Sequence, residues 1–116
     1  MQLAYTVLYV RNVDESHAFY EAALGVARRF LHESGAHGEL DTGATTLAFT
    51  SREMPASNLL SGFQPSELSQ PPCAFEIAFA TPDIAEAYER ATRVGAASVA
   101  GPKSKPCGRV VAYVRD

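Results

Sequence analysis

The apolar positions of the chain follow two periods, and the pair of patterns occurs twice. Residues 5–10, Tyr-Thr-Val-Leu-Tyr-Val, alternate faces as a strand does, and Arg11-Asn12-Val13-Asp14-Glu15 follows. Residues 76–81, Glu-Ile-Ala-Phe-Ala-Thr, repeat the alternation, and Pro82-Asp83-Ile84-Ala85-Glu86 follows. An offset of 71 residues lays Asn12 on Asp83, Val13 on Ile84 and Glu15 on Glu86. Both are capping boxes, in which an Asn or Asp side chain accepts from an amide three residues on. Past each cap the apolar spacing becomes helical: Val13, His17, Tyr20 and Leu24, then Ile84, Tyr88, Ala91 and Val94. Gly25 and Gly95 stand where left-handed helix ends favour glycine.

Further strand patterns cover 27–33 and 38–42, joined by a turn at Ser34-Gly35, and 45–52, entered through Gly43-Ala44. The first half therefore reads βαβββ. The second half reads as strand 74–81, helix 83–94, an edge strand 98–103 kept short by Pro102 and Pro106, and strand 109–115. The repeat calls for one more strand after Asp116. Segment 53–72, rich in Ser and Pro, links the halves and carries Leu59, Leu60 and Phe63 for an apolar turn. The expected fold is α+β: one domain over 1–116, with modules at 1–52 and 73–116. Its curved mixed sheet surrounds a ligand cup and carries the helices outside.

Composition narrows the partners. The chain has 116 residues, 47% hydrophobic and 20% charged, which suits one folded domain. A net charge of −3 lacks the basic surface that nucleic acid or an anionic membrane requires. No apolar run approaches the ~20 residues of a membrane span. Residues 1–10 read as a strand, because they lack a basic leader region and a cleavage site. Cys73 and Cys107 are expected as reduced thiols in a cytoplasmic protein.

Alternation also sorts the faces. Tyr5, Val7 and Tyr9 share one face of the first strand, and by the repeat Glu76 and Ala78 share the equivalent face of 74–81. Ala48 and Thr50, with Thr46, are their companions on 45–52. Arg109 and Tyr113 alternate with the aliphatic set Val110, Ala112 and Val114, and Glu39 and Asp41 take the matching inward positions in the first half. A sheet face of Tyr, Glu, Arg and Ala suits a cavity with apolar walls and a few placed polar groups.

This arrangement resembles the vicinal-oxygen-chelate superfamily, which includes glyoxalase I, bleomycin-resistance proteins and extradiol dioxygenases. The resemblance rests on Tyr5 through Val13, Phe19-Tyr20, Leu24-Gly25, Glu39 through Phe49, Phe75 through Phe79 and Gly108 through Asp116. It implies metal ligands at Tyr5, Ala48, Glu76 and a Glu beyond Asp116. Only Glu76 is a competent hard ligand, whereas a catalytic metal takes about three protein ligands. The resemblance therefore points to the metal-free, drug-binding branch, which has no cofactor. Tyr5, Tyr9 and Tyr113 would stack on a flat ligand, and Glu39, Asp41 and Glu76 would meet a cationic antibiotic. A homodimer is the expected assembly. The competing expectation is a metal-dependent lyase, isomerase or dioxygenase using Glu76 and the further Glu.

Other candidates have plainer readings. His32 and His37, with Glu33, could bind a metal across a two-residue turn, though solvated histidines are the commoner case. His17 lies on an apolar stripe and reads as a core or interface histidine. The thiols lack a CxxC spacing, and Gly101-Pro-Lys-Ser-Lys105 lacks the strand-to-helix setting of a phosphate loop. Glu76 could pair with Arg109 or Arg115 across the cup, since a lone inward carboxylate needs a partner.

Overall fold

The computed structural model describes residues 1–54 and 59–116; residues 55–58 of the expected linker lie outside the described residues. The elements are β1 (Tyr5–Val10), α1 (Val13–Leu24), β2 (Arg28–Leu31), β3 (His37–Leu40), β4 (Thr46–Ser51), α2 (Ile84–Arg93), β5 (Ala97–Ser104) and β6 (Val110–Arg115). They belong to two compact units, 1–21 with 25–65, and 22–24 with 66–116.

In the first unit the order β1-β4-β3-β2 makes a mixed sheet. β1 runs parallel to β4, and the β4–β3 and β3–β2 pairs are antiparallel. The capping box behaves as the sequence implies: Asn12 Oδ1 accepts from the Glu15 amide at 3.1 Å. Gly25 closes α1 at φ 68° and donates to the Glu21 carbonyl. The stripe Val13, His17 and Tyr20 is buried, as are Leu40, Leu47 and Phe49 of the sheet. Tyr20 and His17 meet the Phe49 ring at 5.0 and 5.4 Å between centroids. Burying these side chains is the main source of stability in this unit, at roughly 1.5–3 kcal/mol for each large apolar group.

β2 departs from simple alternation. Arg28 lies opposite Leu40 and Phe30 opposite Glu39, so a bulge at Arg29 shifts the register. Arg28 stays on the helix side, bonding Asp14 at 2.6 Å and Glu21 at 3.3 Å. Arg29 and Phe30 both reach the opposite face. The hairpin loop is also longer than a two-residue turn. The His32 amide donates to the His37 carbonyl, and Gly35, at φ 69°, donates to the His32 carbonyl.

In the second unit α2 carries the second cap, with the Glu86 amide donating to Asp83 Oδ1 at 3.0 Å. Gly95 takes φ 110° just past its end. β5 and β6 form an antiparallel pair. β5 is longer than expected, because its register slips between Ala100 and Lys103, and Pro102 is accommodated there. The Ser98 hydroxyl bonds the Tyr88 hydroxyl of α2, which puts Ser98 and its partner Val114 on the helix side. Alternation then places Tyr113 on the other side, as the sequence implies.

The expected strand 74–81 is not formed as one: no strand among the described residues pairs with it. In the first unit β1 obtains its ladder from β4. Among the described residues, 74–81 joins neither sheet. The fold is mixed α+β, as expected, and its strands form two sheets among the described residues, of four strands and two.

Candidate ligand-binding face

The face of the four-stranded sheet turned away from α1 is built in cross-strand rows. Tyr9, Thr50 and His37 form one, Val7, Ala48 and Glu39 the next, and Tyr5 with Thr46 the third. Period two puts all of them on one side because Leu47, Phe49, Gly38 and Leu40 occupy the other. Seven expected site residues lie on or beside this face: Tyr5, Val7, Tyr9, Glu39, Asp41, Ala48 and Thr50.

The apolar part is accessible. Tyr5 is 53% and Val7 42% exposed. Tyr9 packs on Phe63, with centroids 5.1 Å apart. Phe63 thus supplies the apolar contact expected of the linker, whereas Leu60 is exposed. Ala48 is fully buried within its row.

The polar part is a connected group. His37 Nδ1 lies 2.9 Å from Thr50 Oγ1, and its Nε2 lies 3.5 Å from Glu39 Oε1. Arg29 donates to Thr46 Oγ1 at 2.9 Å, with Glu39 Oε2 at 4.0 Å and Asp41 Oδ1 at 3.6 Å. Two carboxylates against one guanidinium leave this face with one net negative charge when His37 is neutral. Arg29, Phe30 and His37 were not among the expected site residues. The bulge hid Arg29 and Phe30 from a period-two reading, while His37 shares its alternation with Glu39 and could have been found.

His32 and His37 do not form a metal pair. His32 Nδ1 lies 2.7 Å from Ser34 Oγ inside the loop, while His37 turns to Thr50. The longer loop makes this possible, since Ser34 can fold back on His32.

In the second unit Glu76, Ala78, Arg109 and Tyr113 are exposed. Lys105 Nζ stands 5.9 Å from the Tyr113 ring centroid. The ion pair that Glu76 could make with Arg115 is not formed among the described residues. Arg115 instead donates to the Gln70 and Glu67 carbonyls, both at 2.8 Å, and these backbone acceptors occupy its guanidinium. Arg109 makes no ion pair with Glu76 either, and its carbonyl accepts from the Lys105 amide. Cys73 and Cys107 are free thiols.

Of the metal positions implied by the resemblance, those within 1–116 hold one competent hard ligand, Glu76. Ala48 offers only a methyl group, Tyr5 a phenol, and Glu76 a single carboxylate. Among the described residues no three His, Cys, Asp or Glu side chains converge. No helix among them is long and apolar enough to cross a membrane.

The comparisons bear on the fold. The chain is similar to a glyoxalase-related enzyme from Fulvimarina pelagi, at TM-score 0.80 and 19% identity, over 100% of this chain and 81% of that one. A glyoxalase/bleomycin resistance protein/dioxygenase family enzyme from Burkholderia phytofirmans PsJN gives 0.74 and 18%, over 100% and 91%. TioX from Micromonospora sp. ML1 gives 0.66 and 19%, over 100% and 90%. No curated protein matches the chain. The sequence profile of one family matches residues 2–116, nearly the whole length. The chain therefore belongs to the Glyoxalase/Bleomycin resistance protein/Dioxygenase superfamily.

Proposed function

We propose that the chain binds a small molecule, without a metal ion, on the open face of β1–β4, and that it sequesters an aromatic or cationic antibiotic. The observation that carries this reading is the pairing of exposed Tyr5 and Val7 with a polar group of net negative charge on one sheet face. Aromatic rings offer flat, apolar area for stacking, and Glu39 and Asp41 attract a cation. The donor set at Tyr5, Ala48 and Glu76 supports binding without a metal. The proposed working form is a cytoplasmic homodimer, in which a second copy covers an open sheet edge such as that of β1, which has a strand on one side only among the described residues.

Calorimetry against a panel of cationic, aromatic peptide antibiotics tests the proposal. Micromolar binding that weakens in Tyr5→Ala and Glu39→Gln is the expected result. A panel without binding, or a protein purified with stoichiometric divalent metal, would sink it. Sedimentation tests the dimer, and a monomer at micromolar concentration contradicts it.

A further inference from the structure

His17 is the buried polar group that the open face does not use. Its ring is fully buried under α1, and neither ring nitrogen has a well-formed hydrogen bond among the described residues. It stands edge-on to Phe49. On β3 it fills the notch that Gly38 leaves: a Cβ at position 38 would collide with His17 Cε1 and Nε2. Ring and glycine are fitted to each other.

We propose that His17 is an acid-sensitive latch between α1 and the sheet, closed while the imidazole is neutral and opened when it takes a second proton. An imidazolium carries two N–H donors and a charge, and the only hydrogen-bonding group this notch offers it is the Gly38 backbone. The groups around it are few. On α1, Asp14 and Glu21 favour the cation. On β2, Arg28 opposes it, and Arg28 already engages both carboxylates. β3 contributes the backbone of Gly38, and β4 contributes the apolar Phe49. His37 and Glu39, the sequence neighbours of Gly38, point to the opposite face. Burial is the largest influence and Arg28 adds to it; together they outweigh Glu21, the Gly38 backbone and Asp14, so the imidazole sits below its usual range.

The sign follows from linkage. In the unfolded chain a histidine titrates near 6.5, and in the folded chain His17 takes its proton at lower pH. Between those values the unfolded state binds more protons. Stability is therefore complete above about pH 6.5 and falls as pH falls toward the folded value. One proton makes the folding equilibrium constant drop by up to about tenfold per pH unit in that window. Because Gly38 sits between His37 and Glu39, opening the latch loosens the strand that carries the polar half of the open face.

Urea unfolding of the full chain between pH 8 and pH 5, for the wild type and for His17→Leu, tests the latch. The wild type should lose up to about tenfold in equilibrium constant per unit below pH 6.5, and His17→Leu should lack that component. Equal slopes would overturn the proposal. If His17→Leu fails to fold, the ring proton signals of wild-type His17 decide. They should stay at neutral-imidazole positions until α1 amides lose protection from exchange. Titration of His17 while α1 stays protected would equally overturn it.

Discussion

His37 and Thr50 face each other across β3 and β4, with the imidazole Nδ1 2.9 Å from the threonine hydroxyl. The contact orients a half-buried ring so that its other nitrogen points toward Glu39. Thr50→Val keeps the shape and removes the hydroxyl. It should cost about 0.5–1.5 kcal/mol in urea unfolding, the usual net worth of one hydrogen bond. A change in the His37 tautomer balance, read from ring nitrogen shifts, should accompany it.

Gly38→Ala places a methyl group where His17 stands. The ring must move, and the expected loss is about 1–3 kcal/mol, as for other overpacked cores. Combining it with His17→Ala should relieve the clash. The double variant should then be more stable than the sum of the two single losses predicts, and strict additivity would show that the residues do not meet.

Tyr5→Ala separates binding from folding. The ring is 53% exposed, so the melting temperature should barely move. Ligand affinity should fall by a factor of roughly 2–10, equivalent to about 0.5–1.5 kcal/mol of aromatic contact. A variant that binds as well as the wild type would place the ligand elsewhere.

Asn12→Ala and Asp83→Ala each remove a helix cap. Each should cost about 1 kcal/mol, with the loss of helix protection confined to α1 in the first case and to α2 in the second. Hydrogen exchange by residue distinguishes them.

Prolonged dialysis against a chelator should leave the melting temperature and ligand binding unchanged. A drop of several degrees would reveal a structural or functional metal that the residues at Tyr5, Ala48 and Glu76 do not account for.

Much of this was readable along the chain because it depends on neighbours in sequence. The capping boxes at Asn12 and Asp83, the glycines that end the helices, and the alternation of Tyr5, Val7 and Tyr9 are properties of a few consecutive residues. They determined both helices, the strands other than 74–81, and the membership of one sheet face by Tyr5, Ala48 and Glu39. Tertiary structure decided what depends on partners distant in sequence. The bulge at Arg29 arises from the pairing of β2 with β3, and it delivers Arg29 and Phe30 to the open face. Segment 74–81 has the residues of a strand, yet a strand also needs a neighbouring strand to form a ladder, and among the described residues 74–81 joins neither sheet. His17 reads along the chain as one more member of an apolar stripe. Only the fold brings it against Gly38, because the notch belongs to a strand about twenty residues away, and with that contact comes a buried imidazole without a well-formed hydrogen bond.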